Sequence, residues 1–466
     1  MYNKNMVLYK YLYNKVHIPL KGRQMKSLYN TIVNNNLFLP KEKIGVACSG
    51  GSDSMSLLHF LLKNKDKFGI AVCAINVNHN IRKNSADDSL FVKNFCKKNN
   101  IDYYEKSVDC LSLKDKYNIS SLENVARMAR YQFFDYLLQN GTVDKICLAH
   151  HMSDQAETIL LNILRGSGIK GASGMSMISG KYIRPMLNTT KEEILDYIAK
   201  NDIDYVTDQT NFDTSYSRNF LRQLVLPLLK TRFVGVEKNL CAFGEKCYND
   251  NTYLENILPI EKIICKNDCI IIPNECFSLN SVILNRLIKK CFELLNAQVD
   301  IEKKHIMLVN DVMLNKKNRV LLPNNIACER QHNDIIIYRN YNVLKEYQFT
   351  IGKINFNDIC TIDIIKDSPV IEKGILKFDI EKLPDGCAWR KRKNGDVIKK
   401  INGKTQKLKD FLIDRKIPKY IRDAIPVLAK DNNVFICGNI EISDTIKIDK
   451  NSKKVYKIFI DKNFKE

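Results

Sequence analysis

Residues 44–54, Ile44-Gly45-Val46-Ala47-Cys48-Ser49-Gly50-Gly51-Ser52-Asp53-Ser54, join a short apolar run to a turn rich in hydroxyls and glycine. The stretch Ser54 to Lys63 (SMSLLHFLLK) then carries the apolar spacing of an amphipathic helix. A strand, a tight turn and a helix in that order read as one βα unit. Two glycines let the backbone approach a ligand closely, while Ser49, Ser52, Ser54 and successive N–H groups can donate to it. The helix N-terminus adds positive potential, so the string reads as an anion site suited to phosphates. No GxxxxGK followed by Ser or Thr occurs, which excludes a Walker A loop, and Ser54 stands where a nucleophile elbow requires Gly. Ser or Asp capping of a plain strand-to-helix turn accounts for parts of the string only.

Moving outward, the same alternation recurs. Ala71 to Val77 leads into a helical stretch near Ala86 to Lys98, Tyr103 to Val108 into Ser121 to Gln139, and Lys145 to Ala149 into Asp154 to Leu164. Continuous apolar runs between amphipathic helices predict a doubly wound parallel α/β sheet over residues 41–235, with ligands at the carboxyl ends of its strands. Residues 236–345 change to helical periods followed by short strands, predicting a small helix-rich α+β domain. A further basic α+β domain is expected over residues 370–466, and residues 1–40 are read as an N-terminal extension without an assigned role.

A chain of 466 residues fits about three domains at the usual 100–200 residues each. Its 45% hydrophobic and 27% charged residues exclude wholesale disorder and collagen-like repeats. No apolar stretch approaches the roughly 18 residues of a membrane span, and no secretory signal is legible, so a cytoplasmic location is expected. The 15 cysteines are scattered through apolar runs without any CxxC, which argues against zinc knuckles and thioredoxin-type chemistry. The net charge of +21 is unevenly placed: residues 1–40 hold six basic side chains and no acid, and residues 390–466 hold 21 basic and 10 acidic ones. Lysine-rich composition alone would scatter this excess, whereas its concentration at the ends points to a polyanion such as a nucleic acid.

Further motifs line the expected sheet edge. Val77-Asn78-His79-Asn80-Ile81-Arg82 closes the second strand, and Glu123, Arg127 and Tyr131 lie in SLENVARMARYQ. His150-His151-Met152-Ser153-Asp154-Gln155-Ala156-Glu157-Thr158 follows the fourth strand. Leu164-Arg165-Gly166, Arg184-Pro185, then Asp208, Asn211, Arg218, Asn219 and Arg222 come after. Ser120 with Glu123, and Asp154 with Glu157, also fit helix caps, and Gly166 fits a helix C-cap. Asp154, Glu157 and Thr158 nevertheless share one helical face at the carboxyl edge, where two carboxylates could hold Mg²⁺ or an ammonium.

The Ser49–Ser54 string resembles the pyrophosphate-binding loop of the N-type ATP pyrophosphatases, the PP-loop enzymes, which cleave ATP between its α and β phosphates. The absence of a lysine in the loop fits, because the β and γ phosphates leave together. The order and spacing of the other motifs resemble the tRNA(Ile)-lysidine synthetase family, over residues 41–235 and again at Trp389-Arg390-Lys391-Arg392, Gly395-Asp396, Leu408-Lys409 and Pro418 to Pro426. The resemblance implies ligation of lysine to C2 of the wobble cytidine of a CAU-anticodon tRNA(Ile), through an adenylated cytidine, with ATP and Mg²⁺. It implies ATP binding by Ser49, Gly50, Gly51, Ser52, Asp53, Ser54 and His79, with Asp53 on Mg²⁺-pyrophosphate. Arg127 would meet developing phosphate charge, and Asp154 with Glu157 lysine or metal. Arg165, Arg218, Arg222, Arg390, Lys391 and Arg392 would contact tRNA. Where the family usually has two consecutive aspartates after the paired histidines, the first is Ser153 here. Alternatives are a tRNA thiolase of the same loop class, against which the lack of CxxC counts, and an RNA-binding protein with a regulatory nucleotide site.

Overall fold

The computed structural model describes residues 25–80, 85–117, 121–206, 217–266, 269–295, 301–341, 344–370, 372, 374–462 and 464. Arg82, Ser120, Asp208, Asn211, residues 1–24 and the Glu123 side chain, all part of the sequence reading, lie outside them. The chain divides into two compact units, Met1–Asn256 and Ile257–Glu466. Among the described residues no helix is long and apolar enough to cross a membrane.

The first unit is built on a six-stranded sheet. Strands β1 (Lys43–Ala47), β2 (Ala71–Asn78), β3 (Tyr103–Ser107) and β4 (Lys145–Cys147) form within two residues of the expected positions. They pair in parallel in the order β3-β2-β1-β4. A short hairpin, β5 (Ile178–Ser179) and β6 (Tyr182–Ile183), extends the edge beyond β4; the sequence gives it too few residues to announce itself.

Two apolar layers form because the strand residues are apolar on both faces. On one side Met55, Leu57, Phe60 and Leu61 of the helix Ser52–Phe68 pack with Ile44, Val46 and Ala74. On the other, Phe134, Leu137 and Leu138 of the helix Leu122–Gln139 pack with Cys73, Ile75 and Ile146. The sheet is therefore covered on both sides, as a doubly wound fold requires. The chain runs outward from β1 to β3 and returns to β4 on the opposite side of β1. This reversal opens a crevice at the carboxyl ends of β1 and β4.

Part of the expected N-terminal extension belongs to this core. The helix Lys26–Asn34 and the turn after it bury Met25, Leu28, Ile32, Leu37 and Phe38 against the same layer as β1. Sequence reading missed this because it weighed the stretch by its charge.

In the second unit β7 (Ile264–Lys266), β8 (Cys269–Ile272), β9 (Arg319–Leu322), β10 (Ile326–Gln331) and β11 (Asp334–Arg339) form an antiparallel sheet in the order β7-β8-β11-β10-β9. Its core takes Leu287, Ile288, Cys291 and Phe292 from the helix Ser281–Leu294 and Val309 and Val312 from the helix Lys303–Met313. Seven-stranded and four-stranded sheets follow. Tyr347–Gln348 pairs with Ala388–Arg390, and Cys360–Lys366 pairs with Val455–Ile460, so a boundary at 370 would cut through both sheets. These pairings place the start of the C-terminal part near residue 347.

Candidate active site

The Ser49–Ser54 loop fills the crevice at the end of β1. Gly50 has φ +86°, a left-handed conformation that a side chain would strain. The loop is braced from within: the Ser49 N–H donates to Ser54 Oγ (3.2 Å), and Ser54 Oγ donates to the Gly51 carbonyl (3.0 Å). It is also braced from β2, where Asn76 Nδ2 donates to the Cys48 carbonyl (2.8 Å) and takes a bond from Ser89 Oγ on its own oxygen. Buried hydrogen bonds of this kind hold the backbone open toward the helix N-terminus at Ser52 before any ligand arrives.

The neighbouring strand β4 delivers the second half of the site. After it, His151 caps the helix Met152–Leu164: its Nδ1 accepts the Ser153 N–H (3.2 Å), while Asp154 accepts the His151 N–H (3.1 Å). An accepting Nδ1 leaves the ring proton on Nε2, which faces Asp53 (3.7 Å) and Asp154 (3.6 Å). His151 thereby links the loop after β1 to the helix after β4. The cap that the sequence offered for Asp154 with Glu157 does not form: His151 is the N-cap, Asp154 is the third helical residue, and Glu157 takes no part in the capping.

Glu157 is buried and Asp154 partly buried, and the two carry two guanidinium partners. Arg222 makes a bidentate pair with Glu157 (Nε to Oε1 2.6 Å, Nη2 to Oε2 2.8 Å) and reaches Asp154 Oδ1 (2.7 Å). Arg218 donates to Glu157 Oε2 (3.1 Å) and to Thr158 Oγ1 (3.3 Å). Burial works against the charge on Asp154, but His151, Arg222 and the His151 backbone N–H outweigh it and hold its carboxyl below the ordinary range. One buried and one partly buried carboxylate with two half-exposed guanidiniums make a nearly neutral cluster. Arg218 and Arg222, read from sequence as tRNA contacts, are here the counterions of the carboxylates.

Around this cluster, burial first and then the surrounding arginines push His150 down to about 4, despite the opposing pull of Asp154; Arg184, Arg218 and Arg127 supply the opposing charge. Its Nδ1 is buried without a partner among the described residues, as is Arg184 Nε. Arg127 lies over the Tyr131 ring (4.9 Å) and is exposed. His79, expected at the nucleotide, has both nitrogens engaged: Arg130 Nη2 lies 3.3 Å from Nε2 and Cys110 Sγ 3.6 Å from Nδ1. A guanidinium only donates, so the proton sits on Nδ1. Arg165 is exposed beyond the helix end, and Gly166 has φ +75°, as its C-cap reading required.

One site residue escaped the sequence reading. Lys191 Nζ donates to Asp53 Oδ1 (2.5 Å) and Ser52 Oγ (3.0 Å). It lies 138 positions from Asp53 in a stretch, Thr190 to Glu193, that reads only as a capping box, so no local signal marks it.

At the far end of the chain, Arg390 does not face a ligand. Its guanidinium is buried in a bidentate pair with Asp396 (2.9 and 2.9 Å) and donates to the Asp431 carbonyl (2.7 Å), because it leaves a central strand pointing inward. Its expected tRNA contact is thus replaced by a structural one. Arg392 pairs with Asp423 (2.9 Å), and Lys391 is half-buried beside it.

A parallel sheet with this loop at its switch point defines a PP-loop enzyme, a class that uses ATP. A family profile described as the PP-loop domain matches residues 21–229, and one described as the TilS substrate C-terminal domain matches residues 387–458. The tRNA(Ile)-lysidine synthase of Clostridium acetobutylicum is 35% identical over 94% of this chain and 99% of its own. That of Clostridium tetani is 32% identical over 93% and 97%. Among solved structures, the U34-tRNA thiolase NcsA from Methanococcus maripaludis shows 18% identity and a TM-score of 0.42 over 48% of this chain and 77% of its own. The chain belongs to the tRNA(Ile)-lysidine synthase family. It is an ATP-dependent ligase of tRNA modification, acting on tRNA(Ile).

Proposed function

We propose that the chain joins L-lysine to C2 of the wobble cytidine of a CAU-anticodon tRNA(Ile) through two displacements in the β1/β4 crevice. The carrying observation is the convergence of the Ser49–Ser54 loop with Asp154 and Glu157 at adjacent strand ends, bridged by His151. In the first step the cytidine O2 attacks the α phosphate; the O2–P bond forms and the bond to the β phosphate breaks, its electron pair leaving with pyrophosphate. In the second step the lysine ε-amine forms the C–N bond at C2, the C2–O bond breaks toward AMP, and the amine sheds its protons.

The loop N–H groups and hydroxyls bind the phosphates in this reading. Asp53 supplies the single carboxylate that Mg²⁺ commonly takes beside substrate phosphates, where the ion would neutralise phosphate charge. Arg127, exposed at the rim, meets charge developing at the α phosphate. Asp154 and Glu157 attract the lysine ammonium or metal, in exchange with Arg218 and Arg222. The free guanidiniums then have tRNA phosphates as partners.

Sulfur transfer has less support. No disulfide forms among the described residues, and Cys48, beside the loop, is buried with its thiol pushed up by desolvation, the opposite of a reactive thiolate.

The test combines purified protein, ATP, labelled lysine and a CAU-anticodon tRNA. Label enters the tRNA with stoichiometric AMP and pyrophosphate, and Asp154→Asn or Glu157→Gln raises the lysine KM well above any rise for ATP. ATP turnover indifferent to lysine would overturn the reading. An equal rise in both KM values would move the carboxylates from lysine to metal.

A further inference from the structure

The PP-loop itself contains no lysine, yet an ammonium stands on it. Lys191 Nζ bonds both Ser52 Oγ and Asp53 Oδ1, the first two residues of the helix Ser52–Phe68. It is carried by the helix Lys191–Lys200, whose start is fixed firmly. Thr190 and Glu193 form a reciprocal capping box, and Ser27 Oγ bonds both Thr189 Oγ1 (3.1 Å) and Glu193 Oε2 (3.0 Å). Further along, His59 Nδ1 and Tyr197 Oη lie 2.8 Å apart, and the Phe60 and Tyr197 rings meet edge to face. The two helices are thus locked together, and Lys191 is presented to the loop by a rigid support.

Its position is electrostatically awkward. A cation in the first turn of a helix opposes the macrodipole, and although Glu192 and Glu193 in the same turn offset it there, Lys191 itself is aimed at a second helix N-terminus, that of Ser52–Phe68. At Ser52 a helix N-terminus and an ammonium meet, and the carboxylate that faces both in the structure is Asp53. Local rules are broken in this way where a ligand supplies the missing charge. A bound triphosphate does so, and its β and γ phosphates carry most of it.

We propose that Lys191 is the pyrophosphate-binding cation of this site. On ATP binding its ammonium passes from Asp53 to β/γ-phosphate oxygens, which frees the Asp53 carboxylate, and it then holds the pyrophosphate that accepts the electron pair of the breaking bond. The role is that of a P-loop lysine reached from a different part of the chain. The inference rests on the ATP-cleaving reading above but not on the identity of the acceptor.

The test uses the full-length chain and three probes, ATP, inorganic pyrophosphate and AMP, titrated calorimetrically into wild type, Lys191→Ala and Lys191→Arg. Loss of one charge-assisted contact weakens ATP and pyrophosphate binding about tenfold or more in Lys191→Ala. AMP, which lacks both distal phosphates, binds within about twofold of wild type, and Lys191→Arg recovers most of the loss because it keeps the charge. Unchanged ATP and pyrophosphate affinities would make Lys191 only the counterion of Asp53, and an equal fall for all three ligands would make it structural. Either result overturns the proposal. A wild type that incorporates no lysine but shows this selectivity would sink the proposed acceptor chemistry while leaving Lys191 in place.

Discussion

At the residue scale, the site balances charges that individually would be costly to bury. Asp154 and Glu157 are tolerable because Arg218 and Arg222 neutralise them, and His150 is tolerable because it is neutral. The histidines give this a pH signature. His150 and His79 are both pushed down to about 4, in each case by burial first, with arginines adding to it. An unfolded histidine titrates near 6.5, so below that pH the unfolded chain takes up protons that the folded one refuses. Stability is therefore complete above about pH 6.5 and falls as the pH drops toward 4. The loss assignable to His150 is about 1–3 kcal/mol. Melting temperature measured from pH 7.5 to 4.5 shows the fall, and His150→Asn flattens it. An identical slope in that variant would contradict the assignment.

At the element scale, the helix Lys26–Asn34 is the clearest case of a segment whose role lies in packing. Leu28 is fully buried, and Ser27 next to it tethers the capping box under Lys191. Leu28→Ala removes most of a core side chain and leaves a cavity, an expected cost of about 2–5 kcal/mol in urea unfolding. Because Ser27 shares the helix, the same variant also loosens the support of Lys191, so ATP affinity falls along with stability. A loss below about 0.5 kcal/mol would return this helix to the status of an appendage.

At the scale of the whole molecule, the basic C-terminal segment divides into residues that hold the fold and residues that face solvent. Arg390 belongs to the first group: Arg390→Ala leaves Asp396 charged and buried, a change expected to cost about 3–5 kcal/mol. Lys404, Lys407 and Lys409 belong to the second, being exposed along the strand Thr405–Lys407 and the start of the helix Leu408–Asp414. Replacing these three with alanine lowers the salt dependence of tRNA affinity by about one unit or less per lysine, with melting temperature nearly unchanged. The check is the tRNA dissociation constant measured against salt. An unaltered slope would mean that the tRNA phosphates rest elsewhere.

The sequence by itself determined the sheet and its loop, and it named Asp53, Asp154 and Glu157, which the structure gathers at the candidate site. Apolar runs and helical periods are local properties of β1 to β4, and the Ser49–Ser54 string needs nothing beyond its neighbours to form a phosphate cradle. Asp53, Asp154 and Glu157 were legible because strand ends of a parallel sheet gather on one edge. The tertiary structure alone decided which charges meet. Lys191 reaches Asp53, and Arg218 and Arg222 reach Glu157, only after helices distant in sequence have packed. Arg390 looked like its basic neighbours until the strand's alternation turned it toward Asp396. Pairing of side chains across the fold depends on register and helix docking, which are settled by the collective burial of the core and leave no mark in any short stretch of sequence.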